Sequence, residues 1–163
     1  MIMIGIGANL QSPEWGAPIN TCGAALRAFS NKGVTVVRRS RWYRSTPIPM
    51  SNQPPFVNGV VEVTTNFRPK KLLFELLALE EEFGRKRDAT NAARVLDLDL
   101  LTYHSEEMGS DAGLILPHPR MHERAFVLRP LIELAPRWNH PILRLSVSEL
   151  IARLQFGQIV EPI

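Results

Sequence analysis

Asp97 and Asp99 stand two positions apart in the run Leu96-Asp97-Leu98-Asp99-Leu100. In an extended strand that spacing sends both carboxylates to one face and the three leucines to the other. At ~3.3 Å of rise per residue the two Cα atoms lie roughly 7 Å apart, so both side chains can converge on one or two cations. Magnesium in ATP-using enzymes is typically held by one or two carboxylates, with phosphate oxygens and waters completing its octahedron. Taken alone, the pattern equally describes an amphipathic strand with a solvated acidic face. The surrounding cations separate the two readings: Arg85, Arg87 and Arg94 precede the pair, and His118 and Arg124 follow it. Phosphoryl transfer calls for that company, because its catalysis is mostly positioning and neutralisation of charge on the transferring group.

The glycine-rich phosphate cradles are missing. The chain has no G-x-x-x-x-G-K-[ST] loop, no kinase catalytic-loop signature and no D-F-G. Phosphates would therefore be held by Arg, His and metal. His104, His118, His122 and His140 are scattered and offer no zinc-ligand spacing. Glu80 falls on a leucine stripe one turn beyond Leu76, where a carboxylate more often lies at the stripe's edge and points to water. It is a secondary candidate.

Composition permits this chemistry and excludes little else. The 163 residues are 45% hydrophobic with a net charge of +3, the profile of one globular domain spanning residues 1–163. Arginine outnumbers lysine, and its planar fork of donors matches phosphate oxygens. Cys22 is the only cysteine, so no intramolecular disulfide can form. The apolar start Met1-Ile2-Met3-Ile4 lacks a basic flank and is too short for a membrane span or a signal h-region, so a cytoplasmic protein without membrane association is expected. The dense cluster Arg38-Arg39-Ser40-Arg41-Trp42-Tyr43-Arg44 alternates within an expected strand. A solvated sheet edge explains it more cheaply than a nucleic-acid surface.

Residues 2–8 read as a buried strand and 9–16 as a loop. A helix opens at Pro18, turns Ile19, Cys22, Leu26 and Phe29 inward, and stops before Gly33. Residues 34–43 read as one strand. The proline-rich stretch 45–55 reads as an ordered loop, since proline locks φ and withdraws donors. Residues 56–65 form a further strand, in which Asn58-Gly59 marks a candidate bulge. After Pro69 comes a helix with the stripe Leu72, Leu73, Leu76, Leu77 and Phe83, ending at Gly84, and then the acidic strand. The order β-α-β-β-α-β predicts an α+β ferredoxin-like fold, an antiparallel sheet with helices on one face. A C-terminal extension follows, with a helix over 123–134 and a short one opened by the capping box Ser146-Val147-Ser148-Glu149.

Together these segments resemble the 6-hydroxymethyl-7,8-dihydropterin pyrophosphokinase family over nearly the whole chain. The anchors are Gly7-Ala8-Asn9-Leu10, Tyr43-Arg44-Ser45-Thr46-Pro47, Gln53-Pro54-Pro55-Phe56-Val57-Asn58, Leu79-Glu80 with Gly84-Arg85, Arg94-Val95-Leu96-Asp97-Leu98-Asp99, and the run from Pro117 to Phe126. The resemblance implies transfer of diphosphate from ATP to a pterin alcohol in folate biosynthesis, by a monomer. It implies that Asp97 and Asp99 bind a pair of magnesium ions, that Arg85 and Arg94 hold the transferring phosphates, and that His118 and Arg124 contact ATP. Glu80, Arg87 and Leu100 would complete the nucleotide site. The pterin would lie among Ser45, Thr46, Pro47, Ile48, Phe56, Asn58 and Phe126, where rigid apolar walls and an amide suit a flat heterocycle. Two departures stand out. Thr90-Asn91-Ala92-Ala93-Arg94 replaces the family's usual Arg-Trp-Gly-Pro-Arg, so closure over the substrates is expected to be arranged differently. Ala8 stands where serine is usual, with a small effect expected.

Overall fold

The computed structural model describes residues 1–85 and 92–163. The chain runs through β1 (Ile2–Ala8), α1 (Pro18–Ala28), β2 (Thr35–Arg39), β3 (Tyr43–Ser45), β4 (Phe56–Thr64), α2 (Pro69–Glu82), β5 (Asp97–Tyr103), α3 (Ala125–Leu134), α4 (Val147–Ala152) and β6 (Val160–Pro162). Among the described residues the strands form one six-stranded sheet, ordered β5-β1-β4-β3-β6 with β2 also paired to β4. Every pairing is antiparallel. This is the expected ferredoxin-like α+β arrangement, and β6 adds an unexpected strand at the β3 edge.

Strand alternation builds two cores. Ile2, Ile4, Ile6 and Ala8 of β1 face the same way as Leu98 and Leu100 of β5, and pack with Cys22, Ala25 and Phe29 and with Leu72, Leu76 and Leu79 of α2. Met3, Val60 and Leu101 project from the opposite face onto Val127, Leu128, Leu131 and Leu134 of α3 and Val147 and Leu150 of α4. Each fully buried leucine or isoleucine contributes about 1.5–3 kcal/mol, so both layers stabilise the sheet substantially. Helices on one face therefore holds for α1 and α2 alone; the C-terminal extension covers the other face. No helix among the described residues is long and apolar enough to cross a membrane.

Several local expectations are corrected. The single strand expected over 34–43 is two, β2 and β3, lying end to end along β4. Ser40 makes the break: its amide donates to the Val60 carbonyl and its hydroxyl accepts the Val60 amide, which takes the place of ladder bonds. Asn58-Gly59 is no bulge, because β1 pairs through it in unbroken register. Gly59 is instead covered by Trp42, whose ring would lie 2.7 Å from an added Cβ. The irregularities fall between Val36 and Arg38 on β2 and opposite Met3 and Ile4 on β5. In α1 the buried face is Thr21, Cys22, Ala24 and Ala25, small side chains that let the helix lie close on the sheet, while Ile19 stays 36% exposed. In α2 the stripe is Leu72, Leu76, Leu79 and Glu80, with Leu73, Leu77 and Phe83 half-buried. The capping box of α4 forms as expected, although Ile151 is half-buried.

Candidate active site

Asp97 and Asp99 lie on the second face of β5, beyond the end of the α3–α4 layer, while Leu96, Leu98 and Leu100 are buried in the first core. The register explains the open space above them. Gly7 of β1 pairs with Asp97 on one side and Asn58 of β4 on the other, and Gly5 pairs with Asp99. A Cβ at Gly7 would come within 3.3 Å of Asn58 Oδ1 and 3.9 Å of Asp97 Cβ. Three adjacent strands thus present an amide, a gap and a carboxylate in a row.

Three arginines and a histidine close on the acidic pair. Arg85 Nη1 lies 2.8 Å from Asp97 Oδ1, and Arg94 Nη1 lies 2.9 Å from Asp97 Oδ2. Arg124 Nη1 lies 3.4 Å and His118 Nε2 3.9 Å from Asp99. Asp99 keeps 30% of its side-chain surface open to the cleft. Even so, the protein packed around it, and then repulsion from Asp97, raise its pKa to about 6. His118 is shifted the other way: burial, then Arg124 and Arg120, lower its pKa to about 4, so the ring is neutral at pH 7. Its Nδ1 accepts the Arg120 amide at 3.2 Å, which leaves the proton on Nε2, the nitrogen facing Asp99.

Glu80 is not at a solvated edge. Its side chain is buried, pairs with Arg85, and accepts the Leu98 amide at 2.6 Å. Burial raises its pKa to about 7, against the lowering effects of that amide and Arg85. Glu80 therefore pins the start of the acidic strand to α2 and orients Arg85.

Two cavities flank these residues. One, of about 770 Å³, is lined by Ser45, Thr46, Pro47, Ile48, Phe56, Asn58 and Phe126 together with Gly7. Buried Asn58 is oriented by Ser45, whose hydroxyl accepts its Nδ2–H at 2.7 Å. The other, of about 570 Å³, is lined by Glu80, Arg85, Asp99, Leu100 and His118, with Leu73, Leu77, Leu114 and Ile115 as an apolar wall. Arg94, Asp97 and Arg124 line both. Arg124 also lies over the Phe126 ring, 5.4 Å from its centroid, and so ties the Asp99 side of the junction to the first cavity.

The residues singled out from the sequence are thus brought together, except Arg87, which lies outside the described residues, as do Thr90 and Asn91 of the departure ahead of Arg94. Sequence reasoning missed the apolar wall of the second cavity, because leucines at the edge of a helix stripe look like core. It also missed the task of Asn9. This 2%-exposed side chain donates to Gln53 Oε1 and the Pro54 carbonyl at 3.2 and 3.1 Å, and accepts the Arg94 amide at 2.8 Å. Its sequence signals were its place in the anchor Gly7-Ala8-Asn9-Leu10 and a polar residue directly after a buried strand, neither of which points to Arg94.

The donor set suits a hard divalent cation. Among the described residues no three or more His, Cys, Asp or Glu side chains cluster as a closed metal cage. Two carboxylates on one face, one of them destabilised by the other's charge, match a metal whose remaining positions are filled by phosphate oxygens and water.

Comparison with known proteins is consistent with this geometry. Residues 3–136 match the family model for 7,8-dihydro-6-hydroxymethylpterin-pyrophosphokinase. A Pseudomonas aeruginosa 2-amino-4-hydroxy-6-hydroxymethyldihydropteridine pyrophosphokinase is 40% identical over 97% of this chain and 94% of its own length. The Synechocystis protein of the same name is 37% identical over 93% of this chain and 75% of its own. Folic acid synthesis protein fol1 of Pneumocystis carinii is 36% identical over 94% of this chain, which spans only 20% of that larger protein.

Proposed function

As the chain belongs to the 7,8-dihydro-6-hydroxymethylpterin-pyrophosphokinase family, we propose that it transfers the terminal diphosphate of ATP to the hydroxyl of 6-hydroxymethyl-7,8-dihydropterin, releasing AMP, as a step of folate biosynthesis. The observation that carries the reading is the junction of two cavities at Arg94, Asp97 and Arg124. A group transferred between two substrates has to cross a shared wall, and here that wall carries one carboxylate and two guanidinium groups.

The pterin occupies the larger cavity, its ring edge paired with Asn58 and its faces against Phe56 and Phe126. Its hydroxymethyl group then points over Gly7 toward Asp97. ATP occupies the second cavity with its base against Leu73, Leu77, Leu114 and Ile115 and its phosphates at the junction. Asp97 and Asp99 would hold magnesium, a pair of ions on the family pattern, which supplies neutralisation of phosphate charge and fixes the chain's direction. Arg85 and Arg94, each paired with Asp97, turn to phosphate oxygens when ATP binds, where a guanidinium fork binds two at a time. Neutral His118 donates from Nε2, and Arg124 stabilises the phosphates from the Phe126 side. The pterin hydroxyl attacks the β-phosphorus and gives up its proton to solvent, the bond from β-phosphorus to the α,β-bridging oxygen breaks, and that oxygen leaves on AMP. The whole chain would act as one domain and as a monomer in the cytoplasm; that one chain carries both cavities and the wall they share supports the first two.

Incubation with ATP, the pterin alcohol and magnesium, followed by separation of nucleotides, tests the reaction. AMP and a pterin diphosphate are expected in equal amounts, whereas ADP would overturn the assignment. Equal ATP affinity with and without magnesium would overturn the metal role.

A further inference from the structure

Trp15 and Phe83 stack with centroids 5.6 Å apart and planes 18° from parallel. Trp15 rises from a tight turn in which Ser12 and Gly16 exchange backbone hydrogen bonds of 2.9 Å each way. The buried Ser12 hydroxyl accepts the amides of Glu14 and Trp15, each at 3.2 Å. A turn bonded this closely presents its ring in a fixed place.

Phe83 stands at the C-terminal end of α2, immediately before Gly84 and Arg85. Gly84 has φ 85° and open space where a Cβ would sit. The link from α2 to Arg85 is therefore a glycine joint, held by the Gly84 and Arg85 amides to Glu81 and Glu80 carbonyls and steadied by the Phe83 ring. The same loop grips Arg94: the Asn9 side chain accepts its amide, and the Asn9 and Leu10 amides donate to its carbonyl at 3.0 and 3.2 Å. One loop thus holds the backbone beside both arginines that reach Asp97.

We propose that Trp15 is a positioning residue for diphosphate transfer: by fixing Phe83 it sets the direction from which Arg85 meets Asp97 and the transferring phosphates, as Asn9 does for Arg94. The proposal rests on the pyrophosphokinase reading above. An aromatic contact that merely covers the end of a helix would change stability without acting through Arg85.

The test measures kcat and KM for Trp15→Ala and Trp15→Phe, each alone and combined with Arg85→Ala, with thermal midpoints recorded for all. Misplacement of a charge-neutralising group predicts that Trp15→Ala lowers kcat about tenfold, with KM for the pterin changed less than about twofold. Trp15→Phe restores the stack and most of the rate. In the Arg85→Ala background, Trp15→Ala causes no further loss, since the group it positions is gone. A wild-type kcat in Trp15→Ala, the same fold loss in both backgrounds, or a loss that phenylalanine does not restore would each overturn the proposal. Wild-type protein that forms no AMP is a separate result: it overturns the reaction assignment and the proposal with it.

Discussion

Asp97 is held by an arginine on each oxygen and Asp99 by a weaker pair, yet all four partners are groups that phosphate can recruit. Asp97→Ala and Asp99→Ala should each lower turnover by at least about 10²-fold, as removal of a ligand for the charge-neutralising metal does, with an unchanged circular-dichroism spectrum. Loss of folding in either variant would contradict the placement of both carboxylates on the open face. Glu80 carries the opposite expectation. Glu80→Ala leaves the buried Leu98 amide without its acceptor while Arg85 stays paired with Asp97, so it should cost about 1–3 kcal/mol of stability. Glu80→Gln keeps an acceptor for the amide and should cost less; urea unfolding of the two variants measures the difference.

At the scale of elements, β1 and β4 determine how much room the site has. Gly7→Ala would set a methyl group against Asn58 Oδ1, and an amide pushed out of line should raise KM for the pterin several-fold with little change in thermal midpoint. Gly59→Ala acts on the neighbouring residue in the strand but on the other consequence: it meets the Trp42 ring and should destabilise by about 1–3 kcal/mol. The acidic strand was legible because alternation of aspartate and leucine is a local signal with one structural solution. The end-to-end split of β2 and β3 was not, because it depends on Ser40 bonding Val60, a contact between distant segments. Glu80 was read toward water for the same reason: only the arrival of Leu98 and Arg85 makes burial tolerable. Leu73 and Leu77 show the converse limit, since a half-buried leucine at a stripe edge has the same sequence signature whether it faces core or ligand.

Over the whole molecule, stability should depend on pH through a buried histidine. His140 is buried in the segment between α3 and α4, against the rings of His122 and Trp138, where burial and His122 depress its pKa below 6.5, against a smaller opposing effect of Glu107. A histidine with a depressed pKa gains its proton at lower pH in the folded chain than in the unfolded one, so below 6.5 the unfolded chain binds more of that proton than the folded one. Its contribution to stability is therefore constant at higher pH and falls as pH drops through 6.5 toward the folded value. The urea midpoint of the wild type should decline more between about pH 7.5 and about pH 5.5 than that of His140→Asn, which retains an acceptor for the Leu143 amide. Comparing the two proteins cancels the opposite trend from Asp99 and Glu80, whose raised values favour the folded state in acid. The junction at Arg94, Asp97 and Arg124 has a different kind of consequence. On the proposed reading, an inhibitor anchored on those three side chains would leave little route to resistance, because any substitution that evicts it also alters the wall that both cavities share.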